Sequence, residues 1–567
     1  MLIPLSAGLA SVTMAIASSP GERMAAVSIP ALVVTAVLLA VTVARLSRAA
    51  GPDRAAEAAA RGLMATAIGA LLGAVLASAL PGAATVLTLA LLTCVLVAAI
   101  AWRPRRKTGR RLRPGTAAYR RAIRTFERSA RPRPDVAYTA ASLGDVQSAI
   151  ADAASAGRGV IAISTGHAAA SLPDLSGLAV IRMRLDEPVT VDTAARTVRI
   201  PAGTAWGEVV QALAPTGLMA PHGSSPLVGA MGYLLRGGLS FYGRTSGVAA
   251  NSIESIEIVT ADGAQRIVDR AHDSQLFWAL RGGGGGFGVV TAITVRLFPV
   301  TALITGTAFW KVEHAPDLLA AWSAWHREAP REAATAFRIM RLPRLPGIPS
   351  AIAGRTVVNV DGVIHARGLD DPDSRVADVA EDLLAPLRTV GAPLIDTWRP
   401  GSVLDVPWTH MDPALPLPTT ADHQLIDHLD DAGQRAFLNI AVRPRSPLAT
   451  VELRQLGGAF GEAPPDGGAL DHLRGATSLF ATGIAPTPAR AERAERELDE
   501  LRVSMAPWAA GYTSPNYAED RRRPQRSFPT SIAQDVDAVR RRVDPGGLFA
   551  QDVSIGALQH RRESPVE

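Results

Sequence analysis

The first hundred residues contain three long stretches without a charged side chain, and this feature limits what that part of the chain can fold into. These stretches are residues 25–44, 62–80 and 83–102. Each is close to the ~20 residues with which a helix crosses the hydrocarbon core of a bilayer. Residues 2–19 are also uncharged but only weakly apolar, and they lack the basic start of a cleavable signal peptide. We therefore predict an all-α transmembrane segment over residues 1–102, with three helices or four.

The positions of arginine predict the orientation of these helices. Arg45, Arg48, Arg54 and Arg61 lie between the first two stretches, and the run RPRRKTGRR follows the third. Basic residues flank membrane helices on the cytoplasmic side, so we expect multi-pass helices in a bacterial plasma membrane and a cytoplasmic C-terminal part. The run belongs to a basic juxtamembrane linker over residues 103–134. We expect it to contact the lipid bilayer and not nucleic acid, since no groove-reading motif accompanies it.

Composition excludes several kinds of chemistry. A chain of 567 residues, 48% of them hydrophobic, is too long for one compact core, so we expect two or three domains. The single cysteine, Cys94, excludes disulfides, thiolate metal sites and CxxC redox chemistry. His365, His410 and His423 are scattered, so no metal site is predicted. A demanding reaction would therefore need another nucleophile or an organic cofactor.

From Asp135 onward the pattern alternates between strands and helices, which predicts an α+β fold. The predicted strands are GRGVIAIST, the two halves of VDTAARTVRIPAG, and FGVVTAITVRLFPV. SIESIEIVTADGAQRIV predicts a hairpin through Asp262 and Gly263. The predicted helices are AWGEVVQALAPTG, which ends at Gly217, and DSQLFWALRGG, which is closed by glycine.

Two glycine-rich loops differ in what they indicate. RGGGGGFG contains a formal GxGxxG at Gly283, Gly285 and Gly288, but it leaves a predicted helix and enters a strand, the reverse of a Rossmann loop. The segment Gly223–Arg244 interrupts an apolar stretch with glycine, serine and proline, which suits backbone that lies against a flat ligand. His167 follows Ser-Thr-Gly and precedes three alanines. Its partner must therefore come from elsewhere in the fold or from a ligand.

Taken in order, these segments carry a resemblance to a known superfamily. The motifs are AISTGH, VRIPAGTAWGEVVQAL, the glycine segment with NSIESIEIVTADG, QLFWALRGGGGGFGVVT, YTSPNYAED and VRRRVDPGGLF. Over residues 135–558 the chain resembles the vanillyl-alcohol oxidase and p-cresol methylhydroxylase (PCMH) superfamily, nearest to its berberine-bridge-enzyme-like branch. The resemblance implies a PCMH-type two-part FAD-binding domain, residues 135–300 and 506–567. It also implies an inserted substrate domain, residues 301–505, made of an antiparallel sheet flanked by helices.

The same resemblance implies how FAD is held. The loop ending in Gly-His would cradle the pyrophosphate on backbone N–H groups, and His167 would bond covalently to the flavin ring. Ser225 stands where many members have a second, cysteinyl link, so attachment through His167 only is expected. Ala168 and Gly286 replace the usual serine and asparagine. The other implied cofactor contacts are Ile163, Ser164, Thr165, Gly166, Val228, Gly229, Gly232, Gly237, Gly238, Gly243, Ile258 and Asn516.

Candidate catalytic residues come from two segments. ATVELRQLGGAF predicts a strand of the substrate domain whose period of two sends Glu452 and Arg454 to the same face. Glu452 would either accept a substrate proton or form an ion pair within the sheet. Asn516 and Tyr517 match the C-terminal segment that lines the flavin in the family, with Tyr512 and Tyr242 as lesser candidates. A phenol acts as a base only where a nearby cation lowers its pKa.

These features predict a membrane-anchored, FAD-dependent oxidoreductase. It would remove hydride from an alcohol, sugar or amine carbon of a small-molecule substrate and pass the electrons to dioxygen. Two alternatives stay open: a dehydrogenase that donates to a quinone or another carrier, and a non-catalytic flavin-binding scaffold or sensor.

Overall fold

The computed structural model describes residues 109–368, 372–518 and 526–550. All of them belong to the second of two units, residues 1–107 and 108–567. The predicted membrane helices lie outside the described residues. Within the described ranges, no helix has the length and apolar character that crossing a membrane requires.

The described residues form 18 strands. The strands are β1 Val136–Ala140, β2 Gly159–Ile163, β3 Leu178–Met183, β4 Thr190–Asp192, β5 Thr197–Pro201, β6 Leu218–Met219, β7 Ile253–Val259, β8 Gln265–Val268, β9 Val289–Arg296, β10 Phe298–Pro299, β11 Ala302–Lys311, β12 Ala333–Arg341, β13 Thr356–Ala366, β14 Ile395–Asp396, β15 Arg399–Pro400, β16 Thr419–Ile426, β17 Leu448–Gln455 and β18 Thr477–Ile484.

The α-helices of the described residues connect and cover these strands. The helices are α1 Ala117–Ala122, α2 Leu143–Ser155, α3 Trp206–Leu213, α4 Ala230–Leu235, α5 Gly243–Ser246, α6 Ser274–Leu280, α7 Ala315–Glu328, α8 Pro372–Val390, α9 Val406–Thr409, α10 Asp431–Ala441, α11 Pro488–Met505 and α12 Thr530–Val543.

Two sheets form the first half of the fold. One has three parallel strands in the order β1-β3-β2. The other has five antiparallel strands in the order β4-β5-β9-β7-β8. The predicted α+β class and the hairpin between β7 and β8 are confirmed. The predicted strand FGVVTAITVRLFPV is divided into β9, which pairs with β5 and β7, and β10, which pairs with β6 in a separate two-stranded sheet.

Helix α2 shows how local sequence produces these elements. Ser142 Oγ accepts a hydrogen bond from the Asp145 N–H at 3.2 Å, and the Asp145 carboxylate accepts one from the Ser142 N–H at 3.0 Å. This reciprocal capping box satisfies donors that a helix start leaves free. Val146, Ala149 and Ile150 then share one buried face that packs against the first sheet.

The large sheet is antiparallel and has the order β14-β11-β13-β12-β17-β18-β16, with β15 paired to β11. On one face, Phe337, Val360 and Leu453 pack in a core with side chains of α7, α8, α10 and α11. Because side chains alternate along a strand, Arg338 and Glu452 lie on the opposite face. The helices therefore bury one face of the large sheet, and the opposite face is available to line a functional site.

Residues 109–130 pack against the first sheet, although the sequence assigns them to a linker. Leu112 forms a β-bridge with Ala137, and the Tyr119 hydroxyl donates to the Pro134 carbonyl. The Phe126 N–H donates to the Thr165 carbonyl at 3.0 Å. This segment therefore brings Phe126 to the loop that ends in His167.

Candidate active site

A cavity of about 1070 Å³ lies between the loop that follows β2 and the helix-free face of the large sheet. Its walls come from segments far apart in sequence. Most of the lining residues fall within 126–127, 160–169, 223–239, 284–290, 338–348, 410–419, 449–454 and 516–517. The cavity is therefore a product of the tertiary fold and not of one motif.

The loop after β2 forms one wall, and close packing explains its glycines. Gly166 has φ +74°, and a Cβ there would lie 2.7 Å from Thr125 Cγ2. A Cβ on Gly229, across the cavity wall, would lie 2.4 Å from Ser164 Oγ. Both distances are too short for a real Cβ, so each position keeps the backbone close to its neighbour. Such a backbone cradle fits the phosphates of a dinucleotide.

His167 lies in this wall in a setting suited to a cofactor. Its ring stacks on Phe126 with centroids 3.9 Å apart, and Nδ1 is 2.8 Å from Thr165 Oγ1. Its Nε2 atom is buried and has no hydrogen-bond partner among the described residues. Burial lowers the pKa of His167 to about 4, although the nearby Asp412 carboxylate opposes this shift. The imidazole is therefore neutral at pH 7, and its Nε2 is free to contact a cofactor. This setting is compatible with bound FAD.

The predicted cofactor residues divide into two groups. Those that line the cavity are Ile163, Ser164, Thr165, Gly166, His167, Ser225, Val228, Gly229, Gly232 and Asn516. Gly237, Gly238, Gly243 and Ile258 do not line it. Gly243 lies against the Phe460 ring, and Ile258 lies in the core of the five-stranded sheet. The structure therefore does not place these four predicted cofactor residues at the cavity wall.

A buried cluster of charged side chains forms the floor of the cavity. The Glu452 carboxylate accepts from Arg454 Nε at 2.8 Å and lies 2.9 Å from His410 Nε2. His410 Nδ1 lies 3.1 Å from Asp361, which also pairs with Arg338. The two arginines and two carboxylates balance one another, as buried ions require.

Burial and neighbouring charges act in opposite directions on this cluster. Burial raises the pKa of Glu452, but Arg454 and His410 lower it more, so its net pKa lies well below the ordinary value. Burial lowers the pKa of His410, but Asp361 and Glu452 help to place it above its ordinary value. Glu452 is therefore ionised with both oxygens engaged, which favours the ion-pair alternative for this residue.

The contacts of His410 Nε2 belong to two protonation states. Nε2 lies 2.7 Å from Arg454 Nη2 as well as 2.9 Å from Glu452 Oε2. Neutral His410, with its proton on Nδ1, would accept from Arg454, whereas the imidazolium would donate to Glu452. Each protonation state of the ring thus has a suitable neighbour at Nε2.

The remaining candidates lie in different surroundings. Asn516 accepts from the Gly238 N–H at 2.7 Å and donates to the Tyr233 carbonyl at 3.0 Å. These two bonds link the C-terminal segment to the glycine-rich segment Gly223–Arg244. The Tyr517 ring lines the cavity and stacks on His423 with centroids 4.8 Å apart.

Tyr242 and Tyr512 do not line the cavity. Burial raises the pKa of Tyr242 above its ordinary value, and the opposing effect of Arg367 is smaller. The Tyr512 ring lies beneath the guanidinium groups of Arg474 and Arg526. Neither tyrosine is therefore placed to take a proton from a molecule in the cavity.

Sequence reasoning missed several residues of the site. Phe126 lies in the predicted linker, and His410 was considered only as a metal ligand. Arg338 and Asp361 each lie within a long apolar strand, FRIMR and VDGVIHA. A charge in such a strand signals a buried partner, since lone buried charges are strongly disfavoured. That signal does not identify the partner, which only the pairing of β12, β13 and β17 supplies.

Comparison with known proteins agrees with this geometry. Residues 134–269 match the family model described as FAD binding domain. The chain is 33% identical over 179 residues to (R)-6-hydroxynicotine oxidase of Paenarthrobacter nicotinovorans, a match that covers 31% of this chain and 39% of that protein. The match thus spans less than half of this relative. Other relatives are named as FAD-linked oxidoreductases.

Solved structures share the fold over most of the chain. The BBE-like 1 protein of Physcomitrella patens has a TM-score of 0.68 at 21% identity and covers 79% of this chain and 96% of its own. The 6-hydroxy-D-nicotine oxidase of Arthrobacter nicotinovorans has a TM-score of 0.66 at 22% identity and covers 79% and 97%. At these identities the likeness establishes the fold alone. The chain therefore contains a region that matches FAD-binding domains and shares the fold of the BBE-like 1 protein, and the names of its relatives agree with the predicted class of FAD-linked oxidoreductase.

Proposed function

We propose that this protein is an FAD-dependent oxidase that removes hydride from a substrate carbon bearing an alcohol or amine. The observation that carries the proposal is a single cavity with the His167 loop on one side and the His410–Glu452 cluster on the other. FAD, when bound, supplies the hydride acceptor. The chain's own residues hold the cofactor, orient the substrate and take up the substrate's O–H or N–H proton.

His410 Nε2 is the proton acceptor that the geometry favours. In the neutral ring Nε2 is an acceptor, and after proton uptake it can donate to Glu452 Oε2. Asp361 holds Nδ1 in either state, which orients the ring as the carboxylate of a triad does. Glu452 is then a positioning residue that stabilises the imidazolium. The Tyr517 hydroxyl is the alternative acceptor, because its ring also lines the cavity.

We also propose that FAD is attached covalently, through His167 alone. A neutral imidazole with a free nitrogen is a nucleophile, whereas the Ser225 hydroxyl is a weak one without a base. Ser225 Oγ lines the cavity and accepts a long hydrogen bond, 3.4 Å, from the Leu227 N–H. That contact supplies no base.

Anaerobic flavin bleaching tests the reaction. The full-length protein with its flavin is mixed with a panel of alcohols, sugars and amines while the oxidised flavin absorbance is followed. We expect one chemical class to bleach the flavin in a concentration-dependent way. If the flavin stays oxidised with every member of the panel, the scaffold or sensor reading replaces the oxidase.

The electron acceptor is tested by admitting oxygen to the reduced protein. Oxygen consumption matched by peroxide supports an oxidase. Slow reoxidation by oxygen, with rapid reoxidation by a soluble quinone, would favour a dehydrogenase that donates to a membrane carrier.

We further propose that residues 1–102 anchor the protein in the bacterial plasma membrane with the flavin domain in the cytoplasm. The four arginines between the first two stretches and the run RPRRKTGRR after the third support this orientation, since Arg23 is the single arginine before the first stretch. A reporter fused after Glu567 should be active in the cytoplasm. Efficient labelling of the C-terminal part by an impermeant reagent in intact cells would contradict the proposal.

A further inference from the structure

The mouth of the cavity carries exposed apolar side chains. Leu345, Met411 and Leu415 line the cavity and are 59%, 38% and 73% exposed. Large hydrophobic side chains are costly to leave in water, and grouped ones mark binding surfaces. Their grouping around one opening therefore needs an occupant.

The backbone holds these side chains at the mouth. Leu345 lies in the segment LPRLPGIP and Leu415 in MDPALPLP, and the frequent prolines restrict φ in both segments. Met411 has φ +51°, a strained conformation that persists only where its surroundings impose it. The Leu417 carbonyl accepts from the Arg128 N–H at 2.9 Å, and Ser224 Oγ donates to Asp412 at 2.8 Å. These bonds tie the second segment to the rest of the fold.

The charged side chains beside Leu345 and Met411 are already engaged by other groups of the protein, and the Asp412 carboxylate accepts from Ser224 Oγ at 2.8 Å. The Arg341 guanidinium near the mouth is engaged by the carbonyl oxygens of Ala441, Arg443 and Leu448 at 2.7 to 3.0 Å. The floor, by contrast, presents His410 and the charged side chains around it. A molecule that fits this arrangement has a polar reacting end and an apolar body.

We propose that the substrate is amphiphilic, with its alcohol or amine at His410 and an apolar body that contacts Leu345, Met411 and Leu415. The proposal rests on the proposed function and names its substrate class. A substrate is favoured over a lipid surface or a second copy of this chain, because these exposed apolar side chains line the same cavity as the charged cluster. The proposal predicts that a longer apolar chain attached to the reacting alcohol or amine increases the affinity of the substrate.

A homologous series of straight-chain alcohols, from butanol to octanol, measures this effect. The full-length flavin-loaded protein in nanodiscs is titrated anaerobically, and binding is read from the perturbed flavin absorbance. We expect Kd to fall about fourfold per added methylene, which corresponds to ~0.8 kcal/mol for each buried methylene. In the Leu345→Ser and Leu415→Ser variants, Kd should fall by less than about twofold for each added methylene. Val503→Ser is the matched control, since Val503 is as exposed as Leu415 but does not line the cavity.

A second readout does not depend on flavin. An alkyl alcohol that carries a diazirine at its far end is photolysed with the protein, and labelled peptides are identified by mass spectrometry. Labels in residues 342–348 and 411–418, displaced by octanol, support the proposal. Labels only elsewhere would overturn it.

The outcomes separate this inference from the proposed function. If a substrate bleaches the flavin but Kd is independent of chain length in all variants, the amphiphilic class is wrong and the oxidase stands. If no substrate bleaches the flavin, the oxidase is wrong, and the photolabel still decides whether an apolar ligand occupies the mouth. Binding of the protein to lipid vesicles is measured as well. If Leu345→Ser and Leu415→Ser weaken vesicle binding but leave the dependence of Kd on alcohol chain length unchanged, the mouth is a lipid-binding surface and the proposal fails.

Discussion

At the scale of single residues, the surroundings of His167 determine its chemistry. Burial between Phe126 and the glycine loop removes its charge, and the fold gives Nε2 no partner among the described residues. The same ring on the surface would be half protonated near pH 6.5 and bonded to water.

Replacing His167 by alanine tests the link to FAD. We expect the unmodified protein to keep its yellow colour after acid denaturation, and a His167 peptide to carry the mass of FAD. The His167→Ala protein should release its flavin in acid yet bind it when native, because the cradle is mostly backbone. Ser225→Ala is the control and should retain the flavin. Complete release from the unmodified protein would contradict the covalent link but not FAD binding.

The role of Glu452 is best measured as a pH dependence. His410 must be neutral to accept a proton, so flavin reduction should become faster as pH rises through its pKa. The groups that face His410 are Arg338, Asp361, Glu452 and Arg454. Glu452 helps to raise the pKa of His410, so Glu452→Gln should move the rise in rate to lower pH.

Two further variants separate the candidate bases. His410→Asn should abolish the rise with pH and slow reduction by about 10²–10⁴. Tyr517→Phe should leave the pH profile in place. If His410→Asn keeps the profile and Tyr517→Phe removes it, the phenol is the base.

At the scale of elements, two glycines of the same segment have opposite roles. Gly232 lies in α4 and lines the cavity, and a Cβ there would meet no atom within 4 Å. Gly243 begins α5, and a Cβ there would lie 1.9 Å from the buried Phe460 ring. A methyl group at Gly232 would therefore occupy cavity volume that we expect the cofactor to fill. A methyl group at Gly243 would have no room, because the Phe460 ring already occupies that space.

Alanine at each position should give opposite results. Gly232→Ala should keep or slightly raise the free energy of unfolding, by up to ~1 kcal/mol, because alanine favours the helix, and it should weaken FAD binding. Gly243→Ala should lower the free energy of unfolding by about 1–3 kcal/mol through overpacking. Urea denaturation and flavin titration measure both quantities. Equal stability of the two variants would show that Phe460 moves aside freely.

At the scale of the whole molecule, buried neutral imidazoles make stability depend on pH. His222, His365 and His423 are each 1% exposed. Burial lowers the pKa of His222 to about 4 and those of His365 and His423 to about 3. Between the unfolded value of 6.5 and these values the unfolded chain binds more protons, so stability is lost as pH falls. His410 has a raised pKa, so above pH 6.5 the folded protein binds more protons than the unfolded chain, and this contribution to stability is lost as pH rises.

Acid denaturation should therefore be steep. Burial lowers the pKa values of His167 and His326 to about 4 as well, so five imidazoles contribute up to ~1.4 kcal/mol each, and the free energy of unfolding should fall by up to ~7 kcal/mol per pH unit below pH 6. Urea denaturation from pH 6.5 to 5.0 measures the slope. His423→Gln, which retains hydrogen-bonding capacity toward Ser478, should lower the slope by about a fifth. His272→Gln, at a side chain that is 74% exposed, is the control variant. An unchanged slope in His423→Gln would show that its ring is not neutral when folded.

The sequence by itself determined the features that depend on local order along the chain. The alternation of strands and helices, the Gly-His loop and the shared face of Glu452 and Arg454 follow from periods of two and 3.6 and from turn chemistry. Only the tertiary structure decided which residues meet. Phe126 reaches His167 across 41 positions, and Asp361, His410 and Glu452 converge because β-pairing and one loop join strands far apart in sequence. Long-range pairing depends on the packing of the whole chain, and local periodicity carries no information about it.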